Sequence, residues 1–172
     1  MLFTVYCALR SCEAISAQWD WIDLNTKVMT VPAASMKTRK PFRVALSEQA
    51  IALLRSQPRL KGCAFVFPGR FAGKLSERIF PDVLKRCGYG HVTAHGFRST
   101  FRSWFQERTT FAWELGELAL SHSIGSAVSQ SYNRSDALER RFEVANSWAN
   151  FIDPRPVADT VDNNVVPLKL VS

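Results

Sequence analysis

The sequence predicts an α+β domain, mainly helical, with a small antiparallel β-sheet packed on a helical bundle. Three observations carry that expectation. Short alternating apolar segments between residues 21 and 46 read as three strands. Ser47, Ser76 and Thr93 each stand as an N-cap before a segment with helical spacing of apolar residues. A length of 172 residues fits one domain with a tail at most, and 47% hydrophobic against 22% charged residues supplies a core.

Taken in order, residues 3–18 predict one helix, with Leu2, Tyr6, Leu9 and Ile15 near one face. Trp21 to Leu24 alternates as a strand, Asn25-Thr26 turns, and Lys27 to Val31 forms a second strand. Lys37 to Lys40 makes a basic hairpin tip ending at Pro41, and Phe42 to Leu46 returns as the third strand. The helix capped by Ser47 runs through Ala50, Leu53 and Leu54 and is stopped by Pro58. Phe65 to Gly69 is a brief buried segment. The helix capped by Ser76 ends near Cys87, with Gly88 beyond. The helix capped by Thr93 carries His95, Phe97, Arg98 and Phe101. Further helices are expected over 112–120, 126–132 and 136–151. The domain is read as 1–152. From Asp153 onward prolines, Asp and Asn without periodicity predict a flexible tail over 153–172.

The formal net charge is +7; the last twenty residues hold two basic and three acidic side chains, leaving 20 basic against 12 acidic over 1–152. That balance suits a polyanion, DNA or RNA before an acidic membrane. No apolar run reaches the length of a membrane span, and Met1 to Cys7 lacks the basic leader of a signal peptide. The reading is a cytoplasmic protein. Cys7, Cys12, Cys63 and Cys87 form no CxxC pair and read as buried thiols in a reducing compartment. Asp20 and Asp23 flank a strand start and look like turn chemistry. Three histidines without ligand spacing complete the reading: no metal and no cofactor is assigned.

The residues with chemical potential are few. His95 and Arg98 lie three apart on one helix and share a face. Arg10 stands three residues before Glu13, Lys37 sits on the hairpin tip, and His122 follows a short helix with Tyr132 ten residues later. Each alone has a bland reading, a solvated Arg or a structural His. Among the tyrosines, Tyr6 reads as core and Tyr89 as a turn residue packing on the body. Tyr132 sits in the polar stretch Ser129-Gln130-Ser131-Tyr132-Asn133-Arg134-Ser135, where a half-buried packing role and a functional one are both open.

The order of these pieces resembles the tyrosine recombinase family, catalytic domain. Arg10-x-x-Glu13, Lys37, His95-Gly96-Phe97-Arg98, Leu120-Ser121-His122 and Tyr132-Asn133-Arg134 follow the family's order and spacing. Thr93 to Arg102, and Ala119 to Gly125 leading to Tyr132 and Arg140-Arg141, are similar to proteobacterial prophage integrases. The likeness runs from about Leu2 to Ile152, and its six ordered residues, Arg10, Lys37, His95, Arg98, His122 and Tyr132, are far more specific than a lone HxxR.

The resemblance implies a recombinase fold and site-specific DNA recombination in prophage integration and excision. One strand is cut by attack of the Tyr132 oxygen on phosphorus, giving a 3′-phosphotyrosyl link and a free 5′-hydroxyl; the link stores the bond energy for rejoining without ATP. Arg10 and Arg98 would clamp the non-bridging oxygens, since a guanidinium offers a planar fork of donors and keeps its charge. Lys37 would be the general acid for the leaving 5′-oxygen, and His95 a proton acceptor or phosphate donor. His122 would donate to a non-bridging oxygen, while Glu13 either positions Arg10 or ties the fold together and is not counted as catalytic. Tyr132, with an ordinary pKa of about 10, needs such a cationic site to lose its proton. The implied partners are double-stranded DNA and other protomers, a tetramer on DNA and a monomer when free, in the bacterial nucleoid.

For Arg39, Lys40 and Arg43, phosphate contact and a solvated tip stand at equal weight; Lys85, Arg86 and Arg102 are weaker DNA-binding candidates. Trp104, Trp113 and Trp148 read as core or interface. The helix over 137–151, through Phe142, Val144, Trp148 and Phe151, docks either on a neighbouring protomer or on its own domain. The sequence departs from the family where Val44-Ala45-Leu46-Ser47 stands in place of Val-Pro-Leu-Ser. The family's core-binding and arm-binding domains, and the helix before that of Arg10, are expected to be missing. That expectation keeps a second reading open, a truncated remnant that only binds DNA or partner subunits. A third is a type IB topoisomerase, disfavoured by the prophage-like motifs.

Overall fold

The computed structural model describes residues 1–122 and 136–154. The helix expected over 126–132, Tyr132 and the tail beyond residue 154 lie outside the described residues.

The first segment is not the single helix expected over 3–18. It forms α1 (Leu2–Tyr6) and α2 (Ser11–Ile15), separated by a bend at Ala8, whose φ of 47° is left-handed. Such a conformation costs a residue with a Cβ roughly 1–2 kcal/mol. The bend changes what two backbone groups can do. In an unbroken helix the Ala8 carbonyl would accept from the Cys12 amide; here it accepts from the Arg98 guanidinium. The Arg10 amide, released likewise, donates to Glu13 Oε2 at 2.9 Å. Leu2, expected on the buried face, is exposed.

The three strands follow the expected order with shorter bounds: β1 (Ile22–Asp23), β2 (Val28–Val31) and β3 (Phe42–Ala45), antiparallel in the order β1-β2-β3. Trp21 belongs instead to a single 3₁₀ turn, Trp19–Trp21. Met29 pairs with Val44 and Val31 with Phe42, so alternate residues of both strands face the core while Thr30 and Arg43 face outward. Asp23 Oδ1 accepts the amides of Asn25 at 2.8 Å and Thr26 at 3.2 Å, the turn role expected of it.

Five longer helices follow. In α3 (Glu48–Arg55) the Ser47 hydroxyl accepts the Ala50 amide at 3.2 Å. The Phe65 segment runs against the end of α2, with Val66 donating to the Ala17 carbonyl at 2.9 Å. α4 (Ile79–Arg86) has Arg78 as its N-cap rather than the expected Ser76, whose hydroxyl accepts the Arg78 amide at 3.3 Å two residues before the cap. It ends in a Schellman motif: Tyr89 donates to the Leu84 carbonyl, Gly88 to that of Lys85, and Gly88 takes φ +83°. Thr93 caps α5 (Ala94–Arg108) through the Gly96 amide at 3.0 Å. α6 (Trp113–Ala119) and α7 (Leu138–Ile152) complete the described fold.

Two apolar clusters hold these elements. One lies beneath the sheet and gathers α1, α2, α3 and the Phe65 segment around Met29, Val31 and Leu54. The other joins α5, α6 and α7 through Phe101, Trp104, Phe105, Leu115, Val144 and Trp148. Of the two placements open for the last helix, the structure shows docking on its own domain: α7 packs against β3, α3, α6 and α1. Several sequence expectations need correction. Trp113 and Tyr89 are exposed rather than packed. Of the four cysteines only Cys7 is buried; burial pushes its thiol pKa up, while Cys87 is exposed.

The α5–α6 approach gives one expected result. A Cβ built on Gly116 would stand 2.8 Å from the Phe105 ring, which is itself buried. Gly116→Ala should therefore lower stability by about 1–3 kcal/mol despite alanine's better helix propensity. Urea unfolding measures this, and a neutral or stabilising result would refute the close contact.

Candidate active site

Arg98 lies in the second turn of α5 and is 5% exposed. A buried guanidinium needs acceptors, and two backbone carbonyls supply them. Nη1 donates to the Ala8 oxygen at the bend before α2, and Nη2 donates to the Leu120 oxygen at 2.7 Å. Leu120 is the C-cap of α6, so the cation also meets the negative end of that helix. Burial, then the neighbouring charge of Arg10, lowers the Arg98 pKa from its ordinary value, with Glu13 opposing. Two of its five N–H groups go to these carbonyls, and Nη2 also faces His122 Nε2 at 3.5 Å.

Arg10 precedes α2, with backbone torsions in the extended region. Glu13, buried one turn later, accepts from both ends of the residue: the amide at 2.9 Å and Nη1 at 2.8 Å. The Arg10 side chain remains 31% exposed. The Arg10-x-x-Glu13 spacing is thus a local clamp that aims one guanidinium while leaving it open to solvent.

His122 is placed by the end of α6. Ser121 takes φ 54°, the His122 amide donates to the Glu117 carbonyl at 2.9 Å, and Ser121 donates to that of Leu118 at 3.1 Å. This Schellman geometry folds the imidazole back over α6. There Nδ1 lies 2.7 Å from Glu117 Oε2, and Nε2 lies 3.5 Å from Arg98 Nη2. Arg102 Nη2 reaches the other Glu117 oxygen at 3.2 Å.

Of the residues singled out from sequence, the structure brings Arg98 and His122 into contact and places Arg10 near enough for its charge to act on Arg98. His95 is exposed in the first turn of α5, one turn before Arg98. Lys37 is exposed on the β2–β3 connection. Among the described residues no hydrogen bond or ion pair joins His95 or Lys37 to the cluster. The neighbours of Lys37, Thr38 and Lys40, do line an open cleft of about 970 Å³ shared with Ser121 and His122. Its other wall comes from the start of α7, and its charge is mixed: Lys40, Arg43, Arg140 and Arg141 against Glu114, Asp136 and Glu139.

The DNA-binding candidates divide. Arg39, Lys40, Lys85 and Arg86 are exposed. Arg43 instead makes a two-pronged pair with Asp136, at 2.8 and 2.6 Å, and Arg102 is paired with Glu117. Burial alone would raise the Asp136 carboxyl, but the Arg43 hydrogen bond and the nearby guanidiniums hold its pKa below the usual range.

Sequence reasoning missed two residues here. Glu117 carries a faint signal, an acid five residues before a histidine across a helix end. Arg141, 3% exposed, is marked only within the Arg140-Arg141 pair of the family likeness, with no role assigned to it. Its guanidinium donates to the Arg43 and Leu118 carbonyls and lies 5.4 Å from the centre of the Phe42 ring, tying β3 to α6 and α7. Burial pulls its pKa down to about 10, against Asp136 and with Arg43, so it remains a cation at neutral pH.

Comparison with known proteins decides the family. The phage integrase family model matches residues 1–139. The chain belongs to the phage integrase family. Among its relatives, prophage integrase IntZ of Escherichia coli (strain K12) is 37% identical over 152 residues, covering 87% of this chain and 38% of that protein. Tyrosine recombinase XerC of Xanthomonas campestris pv. campestris (strain B100) is 31% identical over 136 residues, 74% of this chain and 41% of that one. The chain spans about two fifths of the length of these curated relatives. The integrase from mycobacterium phage Brujita shares the fold, with a TM-score of 0.64 at 20% identity over 84% of this chain and 48% of its own. The expected α+β recombinase fold is therefore the fold found.

Proposed function

We propose that this integrase-family chain, as a catalytic domain over 1–152, cleaves and rejoins DNA in site-specific recombination, with Tyr132 as nucleophile. The observation that carries the reading is the contact between buried Arg98 and His122, with Arg98 held to the Ala8 carbonyl two residues before Arg10 and close enough to feel the Arg10 charge. Two guanidiniums near enough to feel each other's charge repel. Their proximity becomes favourable when a phosphate diester, and then a more negative phosphorane, lies between their donors.

In the proposed step the Tyr132 oxygen forms a bond to phosphorus as the bond to the 5′-oxygen breaks. The phenolic proton passes to His95 or solvent, and Lys37 protonates the departing 5′-oxygen. Arg10 and Arg98 donate to the non-bridging oxygens, and His122 does so through Nε2. Rejoining reverses the step with another 5′-hydroxyl. No nucleotide is consumed, because the ester energy is retained in the phosphotyrosyl link. Exposed Arg39, Lys40, Lys85 and Arg86 would hold the DNA backbone by salt-sensitive phosphate contacts. DNA-bound assembly of several protomers, a tetramer, and residence on the bacterial nucleoid belong to the same proposal.

The test is covalent trapping on nicked duplexes drawn from a randomised-site pool, in which the cleaved fragment diffuses away. The wild-type chain is expected to form a detergent-resistant protein–DNA adduct. Tyr132→Phe, checked for unchanged circular dichroism, is expected to form none. An adduct that persists in the variant rules out Tyr132. Salt-sensitive DNA binding with no adduct from either protein would favour the non-catalytic reading.

A further inference from the structure

We propose that Glu117 is a positioning residue that selects which nitrogen of His122 faces the scissile phosphate. The inference rests on the reading of His122 as a phosphate ligand, but its structural half stands apart from it.

An ionised carboxylate only accepts hydrogen bonds, so Glu117 Oε2, 2.7 Å from Nδ1, demands a proton on Nδ1. Nε2 is then the nitrogen turned toward Arg98 Nη2, 3.5 Å away. Two states satisfy this arrangement. A neutral ring keeps a lone pair on Nε2 facing the guanidinium; an imidazolium ring donates from Nε2 to a phosphate oxygen beside it. Both keep the ring in one orientation.

The carboxylate is itself held. The Glu117 side chain is 16% exposed, its second oxygen takes Arg102 at 3.2 Å, and its own backbone carbonyl accepts the His122 amide. Main-chain and side-chain bonds from one residue thus grip both ends of His122, while Arg98 holds the Leu120 carbonyl between them. This is the arrangement by which an outer carboxylate fixes a histidine's tautomer and ring plane in metal sites; the geometry assigns it here to a phosphate-facing imidazole.

The experiment compares the full chain with Glu117→Ala and Glu117→Gln by ¹⁵N-edited NMR of the imidazole groups, with His122→Gln to assign the signal. In the wild type we expect a protonated His122 Nδ1 whose hydrogen-bonded proton is shifted downfield and slow to exchange. Glu117→Ala should lose that signal; Glu117→Gln, whose amide oxygen still accepts, should keep it. In the adduct assay Glu117→Ala should slow cleavage by about tenfold to a hundredfold, with Glu117→Gln recovering part of the rate. A wild-type Nδ1 without its proton, or a signal unchanged in Glu117→Ala, overturns the proposal. The expected NMR pattern without any wild-type adduct would sustain the positioning and overturn the catalytic reading of the site instead.

Discussion

Arg98→Lys is expected to slow adduct formation on a nicked duplex by about 10²–10³-fold, the effect of removing a single donor from a preorganised anion site. Charge is conserved in this substitution, so the loss isolates geometry. The guanidinium already serves two backbone carbonyls from separate segments, Ala8 and Leu120, and has five N–H groups in all. An ammonium has three donors on one nitrogen and cannot span both carbonyls while reaching an anion. It must choose, and a carbonyl left unsatisfied in a buried place costs about 1–3 kcal/mol. Part of the effect is therefore on folding. Single-turnover rates measured well below the melting temperature, beside urea curves for both proteins, separate the two. A lysine variant that cleaves at the wild-type rate would remove Arg98 from the phosphate clamp.

Trp148→Ala is expected to cost about 3–5 kcal/mol, a large share of the stability of a domain this size. Trp148 is 1% exposed in the middle of α7. Its ring meets Phe101 edge-on at 5.4 Å and Trp104 at 5.1 Å between centroids, so one truncation opens the α5–α7 contact along two rings. Its Nε1 donates to the Val5 carbonyl at 2.8 Å, which ties α7 to the end of α1. Alanine removes both the packing and that bond, and the gap lies too deep among large rings to close. Phe151→Ala is the control: it stacks on the same cluster but is 54% exposed, and should cost far less. The midpoint of urea unfolding reads both. A Trp148→Ala cost below about 1 kcal/mol would mean that this cluster is not the support of α7.

Much of the fold was legible because its signals are local. A hydroxyl before a helical segment captures an amide three residues on, as Ser47 and Thr93 do. Alternation over four residues selects a face of a strand, as in Val28–Val31. Gly88 past Cys87 marks a helix end because the chain must turn left-handed there. Among the described residues the helix expected over 3–18 is broken by a contact outside that range: Arg98, ninety residues away, takes the carbonyl that an unbroken helix would have used.

By itself the sequence determined the family, the α+β class, the order of the elements and the Arg10-x-x-Glu13 clamp, since each depends on residue identity at short or regular spacing. Tertiary structure alone decided how far Arg98 is buried, which carbonyls hold it, that Arg43 and Arg102 spend their charge on Asp136 and Glu117, and that Glu117 grips His122. A charged side chain's partner is set by whichever opposite charge or carbonyl the fold carries within about 3 Å, and that distance is written in the packing of several helices at once.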